Sequence, residues 1–91
     1  MEFEIGRVTH YYSHLNVAVL TVNEALKLGD KIHILGHTTD FEQRIASMEV
    51  EHHQVVWVKP GENVAIQVNE PVREHDVVYR VVEGSPEPAL G

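Results

Sequence analysis

The chain reads Ala25-Leu26-Lys27-Leu28-Gly29-Asp30-Lys31-Ile32-His33-Ile34-Leu35-Gly36 over the segment around which its other β-type runs are arranged. The Gly29-Asp30 pair suits a tight turn, because glycine reaches positive φ at no steric cost and aspartate bonds to nearby backbone. After the turn, Ile32 and Ile34 alternate with polar residues, which is the pattern of a strand with one buried face. The segment therefore predicts two short strands joined by a tight turn.

Similar short runs, separated by Gly, Pro and Asp turns, continue on both sides. We predict strands over residues 2–10, 15–22, 31–35, 41–51, 54–58, 63–69 and 77–82. Gly6 indicates a bend in the first strand, and a change of apolar face between Ile45 and Met48 indicates a bulge or a barrel corner. No segment has a convincing helical pattern, and a closed sheet has no bare edges. We therefore expect an all-β fold, a small closed antiparallel β-barrel of six to seven strands.

Size and composition fit a single globular domain. The 91 residues are 43% hydrophobic and include no cysteine, which excludes disulfides and thiolate metal sites. The net charge is −7 and the seven Lys and Arg residues are scattered, which argues against general nucleic-acid binding. No apolar run approaches the roughly 20 residues that span a bilayer, and the acidic N-terminus does not resemble a signal peptide. We expect a cytoplasmic protein without membrane contact, with a domain over residues 1–83 and a disordered tail over residues 84–91.

Four motifs, in the same order, resemble the β-barrel second domain of translation GTPases such as elongation factor Tu. Residues 26–36, LKLGDKIHILG, are similar to the family pattern I-K-x-G-D-x-I-x-I-x-G. Residues 45–49, IASME, resemble V-x-S-I-E, and residues 58–66, VKPGENVAI, resemble A-x-x-G-D-x-V-G-I. Residues 76–80, DVVYR, resemble the last strand. The free-standing form is similar to proteins called translation elongation factor-like.

The resemblance implies a binding module rather than an enzyme. The chain has no G-x-x-x-x-G-K-[ST] phosphate loop, so GTP hydrolysis is not implied. Ala65 stands where the family has a glycine, and Glu24 stands near another such position, so no contact with the tRNA acceptor end is carried over. We expect a non-catalytic module whose partner is a protein or ribonucleoprotein of translation or RNA modification.

A second reading stays open, because a similar barrel is appended to enzymes of the collagenase-like peptidase family. On this reading the chain is an accessory or lid subunit of such an enzyme. Self-association through the apolar residues 15–22 is compatible with both readings.

The candidate binding loop consists of His37, Thr38, Thr39, Asp40 and Phe41. Binding residues concentrate on loops that a rigid scaffold holds. The alternative is a turn in which the Thr and Asp side chains satisfy nearby backbone groups. Consecutive loop residues rarely supply the positioning that a catalytic triad needs, so we expect no catalytic residue.

Histidine is abundant, with seven residues: His10, His14, His33, His37, His52, His53 and His75. The spacing of His33 and His37 superficially resembles that of zinc ligands. These segments are predicted as strand and loop, where the helical i, i+4 neighbourhood is lost. We therefore expect no metal site and no cofactor. Tyr11, Tyr12 and Trp57 leave two readings open, a stacking surface for bases or aromatic plugs at the end of the barrel.

Overall fold

The computed structural model describes residues 1–82, so the predicted tail, residues 84–91, lies outside the described residues. The described part contains ten β-strands and no helix. The strands are β1 (Glu2–Tyr12), β2 (Val17–Val22), β3 (Leu26–Lys27), β4 (Lys31–Leu35), β5 (Asp40–Arg44), β6 (Met48–Val50), β7 (His53–Gln54), β8 (Trp57–Val58), β9 (Asn63–Gln67) and β10 (Val77–Val81). The predicted all-β class is confirmed, and within residues 1–82 there is no helix that could span a membrane.

Eight strands form one antiparallel sheet in the order β5-β4-β10-β1-β2-β9-β6-β7, and β3 and β8 form a separate two-stranded ribbon. The long β1 lies near the middle of the sheet and pairs with β10 and β2. Its register with β10 shifts between Glu4 and Gly6, which confirms the predicted bend. A Cβ on Gly6 would collide with the Thr21 carbonyl of β2, so this close approach requires glycine.

Aliphatic side chains from one face of the sheet form a single buried core. Strand alternation places every second residue of β2, β4 and β9 in it, as the sequence pattern predicts for β4 and β9. These residues are Ala18, Leu20, Val22, Ile32, Ile34, Val64 and Ile66. Leu26 and Val58 of the ribbon belong to the same cluster, so the ribbon covers part of this core.

The prediction of a closed barrel is wrong. Within residues 1–82 the sheet ends at β5 and β7, and these two strands do not pair with each other. Gln43 belongs to β5, and its side chain contacts the backbone at the end of β9. Its Nε2 donates to the Gln67 carbonyl at 2.9 Å. Its Oε1 accepts from the Asn69 backbone N–H at 2.7 Å. A side-chain amide thus takes the place of the backbone ladder that closure would require.

The Gly29-Asp30 turn forms as predicted, with Gly29 at a φ of 88°. The Asp30 carboxylate accepts from the Lys27 backbone N–H at 3.0 Å. The strands on either side of the turn are not partners, because β3 pairs with β8 while β4 pairs with β10 and β5. The segment is therefore the link between ribbon and sheet, rather than a hairpin.

The predicted strand over residues 41–51 is two strands at different places in the sheet. β5 lies at one edge, and β6 pairs with β9 and β7. Between them Ile45 returns to the turn, where its N–H donates to Asp30 O and its carbonyl accepts from Gly29 N, both at 2.9 Å. This excursion explains the change of apolar face between Ile45 and Met48.

Candidate functional sites

The predicted binding loop, residues 37–41, spans the turn between β4 and β5 and the start of β5. Thr39 is buried and Phe41 packs against the core, so these two side chains are structural. The three exposed side chains of the loop are His37, Thr38 and Asp40. Asp40 contacts His33, as described below. Ligand binding by the loop stays a prediction.

One histidine and three carboxylates meet on the sheet face opposite the core, and we call them the His33 cluster: Glu2, His33, Asp40 and Glu42. Nδ1 of His33 lies 2.9 Å from Oε1 and 3.0 Å from Oε2 of Glu2. Its Nε2 lies 2.6 Å from Oδ1 of Asp40. Lys31 forms an ion pair with the remaining member, with Nζ 3.2 Å from Oε1 of Glu42. The cluster is therefore anionic on balance.

Strand register brings these residues together. His33 stands directly opposite Glu42 of β5 and opposite Tyr79 of β10, and directly opposite side chains in antiparallel strands are near neighbours. The ring of Tyr79 lies 6.1 Å from the imidazole, centroid to centroid. Glu2 reaches His33 from β1 across β10, although 31 residues separate the two in sequence. That separation is why spacing motifs do not reveal the cluster.

Electrostatics favour the protonated imidazole at this position. The hydrogen bond with Glu2 raises the pKa of His33 above its ordinary value of 6.5; burial acts in the opposite direction, and Asp40 adds to the increase. The side chain is 15% exposed, so solvent screens these interactions only in part. His33 therefore keeps a positive charge to a higher pH than a free histidine.

The surroundings of the histidines in the fold do not follow from their spacing in the sequence. His10 lies 3.7 Å from a Glu74 carboxylate oxygen, and its ring is tilted by 45° against that of Tyr12, with the centroids 4.6 Å apart. Within residues 1–82, one set of three His and carboxylate side chains brings its ligand atoms within 4.8 Å of one another, namely Glu2, His33 and Glu42. The partners of His33 are thus carboxylates from other strands.

A second candidate site is an open depression of about 690 Å³ beside the ribbon. Three of the residues that line it are apolar and exposed, and we call them the Trp57 patch: Leu28 (39%), Val56 (69%) and Trp57 (57%). The Leu28 backbone N–H donates to the Val56 carbonyl at 3.0 Å, which holds the two segments together. The ribbon turns Leu26 and Val58 into the core, so their neighbours remain outside. The continuous apolar run over residues 55–58 was the sequence signal for this surface.

The three aromatic residues considered for base stacking lie in different surroundings. Tyr11 packs against the core. Tyr12 lines a separate depression of about 1140 Å³, together with the exposed Leu15. Trp57 belongs to the patch at the ribbon. Neither a stacking surface formed by all three nor a barrel plug describes this arrangement.

Comparison with known proteins links the chain to enzymes. No family model matches it. It is 41% identical over 83 residues, 90% of the chain, to an uncharacterised protease of Methanocaldococcus jannaschii. It is 33% identical over 78 residues to a collagenase of Porphyromonas gingivalis. The chain spans about a fifth of the length of these relatives, 20% and 22% respectively.

Solved structures agree with this relationship at the level of the fold. The C-terminal domain of a Geobacillus thermoleovorans protein assigned to the U32 peptidases superposes with a TM-score of 0.82 at 18% identity. The match covers 87% of this chain and 92% of that domain. Its selenomethionine variant gives a TM-score of 0.79.

These findings correct two expectations. The resemblance to translation elongation factors is wrong, because the relatives are named as a protease and a collagenase and the structural neighbour is a peptidase domain. The expectation that the chain is not an enzyme is also contradicted by those names. The chain is therefore similar in sequence to about a fifth of a protease and of a collagenase, and it has the fold of the C-terminal domain of a U32 peptidase.

Proposed function

We propose that the chain serves as the accessory β-domain of a U32-type, collagenase-like peptidase. The observation that carries the proposal is the extent of the match, which covers 90% of this chain but only 20% of the relative. A segment of this kind corresponds to one unit of a larger enzyme. The C-terminal domain that shares its fold has nearly the same extent, since 92% of it is matched.

The Trp57 patch is the surface that fits contact with the rest of such an enzyme. Exposed apolar side chains in one group mark contact surfaces, and tryptophan is enriched among the residues that dominate binding energy. The patch lies on a ribbon whose other side packs in the core, so little conformational entropy would be lost on docking. The net charge of −7 favours a partner surface with a basic rim.

The partner in this proposal is a protein, the catalytic part of the peptidase. The accessory domain holds that part, or the polypeptide substrate that enters it, in a fixed orientation. Orientation of this kind raises reaction rates through positioning. Translation components and ribonucleoproteins are not part of the proposal.

The test combines this chain with the catalytic part of a U32-type enzyme. The two are either fused in one polypeptide or mixed as separate chains. We expect the purified chain to form a complex that size-exclusion chromatography with light scattering detects. The complex should cleave a gelatin or collagen-peptide substrate faster than the catalytic part alone. Trp57→Ala should weaken the complex at least about tenfold, as substitution of a central aromatic contact does.

The matched control is Leu15→Ala, which truncates an exposed apolar side chain outside the patch. It should leave the complex intact. Absence of a complex, or unchanged cleavage when the chain is added, would contradict the proposal. If Trp57→Ala instead breaks a dimer of the chain itself, the patch mediates self-association and the docking surface is wrongly assigned.

A further inference from the structure

A neutral imidazole carries one N–H, so His33 cannot donate to both Glu2 and Asp40 without a second proton. Asp40 lies 2.6 Å from Nε2, the geometry of an imidazole N–H donating to a carboxylate. With its proton on Nε2, a neutral imidazole presents a lone pair at Nδ1. That lone pair would face the Glu2 oxygens at 2.9 and 3.0 Å, which also carry lone pairs. In this tautomer, a second proton or a metal ion is needed between Nδ1 and Glu2.

A carboxylate that holds one imidazole nitrogen while the other nitrogen faces further ligands is typical of metal centres. Metal-bound histidines commonly donate their second N–H to such a carboxylate, which fixes the tautomer and the orientation of the ring. Asp40 has this position relative to His33. The Asp40 side chain is 74% exposed, and its Oδ1 is the atom that contacts the imidazole.

Glu42 supplies the third ligand. Ligand atoms of Glu2, His33 and Glu42 lie within 4.8 Å of one another. A proton on Nδ1 of His33 forms a hydrogen bond with one carboxylate, whereas a metal ion at this position would bind both Glu2 and Glu42. Tetrahedral zinc, with ligand distances of about 2.0–2.2 Å, places its ligands roughly 3.3–3.6 Å apart. This spacing lies between the 2.9 Å of the His33–Glu2 contact and the 4.8 Å within which all three ligand atoms lie. We propose that Glu2, His33 and Glu42 bind a divalent first-row transition ion such as Zn²⁺, with Asp40 as positioning residue.

The donor set fits this class of ion. An imidazole nitrogen with two carboxylates suits zinc and its neighbours, whereas calcium and magnesium prefer oxygen ligands alone. Three protein ligands leave a fourth position for water. Lys31 is the competitor, because its ammonium group neutralises Glu42 and must turn away when the ion enters.

The site is separate from the Trp57 patch and does not depend on the proposed function. Bound ion would tie Glu2, near the start of β1, to His33 on β4 and Glu42 on the edge strand β5. Sequence spacing does not suggest this set of residues, because only the sheet brings them into contact.

The experiment uses the full chain with an unmodified N-terminus, any affinity tag removed, stripped of metal with a chelator. Isothermal titration with ZnCl₂ should give one site, and saturating zinc should raise Tm by at least roughly 5 °C, the size expected when a ligand binds only the folded state of a small domain. In ¹⁵N spectra, the Nδ1 resonance of His33 should shift on zinc addition while Nε2 keeps its proton.

Variants separate this site from adventitious binding to surface histidines. His33→Gln and Glu42→Gln should each lower zinc affinity at least about tenfold, and Asp40→Asn should lower it about 10–100-fold, the range known for carboxylates behind metal-bound histidines. The control His10→Gln removes a histidine that faces a single carboxylate, and it should bind zinc like the wild type. Glu42→Gln alters an exposed side chain, so its result does not depend on a folding defect of His33→Gln.

Three outcomes would overturn the proposal. The first is no one-to-one zinc binding and no rise in Tm for the wild type. The second is an equal loss of affinity in His10→Gln and Glu42→Gln, which would place the ion elsewhere. The third is a His33 spectrum that keeps protons on both nitrogens when zinc is saturating, which would assign the position to a proton.

Discussion

Gln43 joins β5 to the end of β9 through its side-chain amide, which hydrogen-bonds to the backbone of Gln67 at 2.9 Å. The same amide also bonds to the Asn69 N–H. The glutamine is only 7% exposed, so its buried amide depends on protein partners for its hydrogen bonds. An inward-facing polar residue thus secures the edge of the sheet.

Replacement of Gln43 by leucine should destabilise the protein. The change removes the hydrogen bonds to Gln67 O and Asn69 N, and each hydrogen bond contributes about 0.5–1.5 kcal/mol to stability. Urea denaturation should show a lower midpoint, whereas Gln54→Leu, at an exposed position of β7, should change it little. Equal midpoints for Gln43→Leu and the wild type would mean that water replaces the bridge.

Replacement of Gly36 by alanine should also be costly. A Cβ at this position would collide with the Asp76 carboxylate, which is buried and accepts from the Arg73 N–H at 2.8 Å. We expect a loss of about 1–3 kcal/mol in the free energy of unfolding, as for other overpacked sites. Because the two residues share one contact, the double variant Gly36→Ala with Asp76→Ala should lose less than the sum of the single losses. Strict additivity would contradict the collision.

Two valines of the ribbon region should respond oppositely to aspartate. Val56 is 69% exposed, and Val56→Asp should leave the free energy of unfolding within about 0.5 kcal/mol of the wild type. Val58 is fully buried, and Val58→Asp should prevent folding, because the carboxylate would enter an apolar core. Circular dichroism with thermal denaturation distinguishes the two results. A strongly destabilised Val56→Asp would show that the patch is part of the core.

In the metal-free protein, His33 should make stability depend on pH. Its pKa is raised in the folded state, so folding favours the protonated form. This contribution is complete below the unfolded value of 6.5 and is lost as the pH rises through the higher folded value. The charged and aromatic groups that face the imidazole are Glu2, Lys31, Asp40, Glu42 and Tyr79.

The measurement is denaturation in the presence of a chelator from about pH 6 to about pH 9, a range that brackets ordinary and raised histidine pKa values. The wild type should lose stability relative to His33→Gln as the pH rises. The His10→Gln variant should follow the wild type. Parallel profiles for the wild type and His33→Gln would contradict the prediction.

Local patterns predicted most of the strands, whereas long-range contacts decided how they are arranged. Alternation marked Ile32, Ile34, Val64 and Ile66 as core, because period-two burial is a local property. The open sheet could not be predicted, since local patterns do not show which edge strands pair, and Gln43 reaches residues 67 and 69 through its side chain. Motifs such as Gly29-Asp30 describe turns, and unrelated β-domains use the same turns, which explains the false likeness to translation factors.

For the candidate sites, too, local sequence revealed one part and only long-range contacts revealed the other. The loop predicted over residues 37–41 was recognisable from its composition, although Asp40 and Phe41 belong to β5 and Thr39 is buried. The His33 cluster was not recognisable, because Glu2 and His33 meet only when β1, β10 and β4 are side by side. Sequence spacing reports neighbours along one element, and this cluster draws on three.

The position of Trp57 has a practical consequence. It is the single tryptophan of the chain and is 57% exposed at the ribbon. Its indole emission therefore comes from one known place, free of overlap from other tryptophans. Burial of the ring by a partner would move that emission to shorter wavelength, so the unlabelled protein carries its own optical reporter for events at this surface.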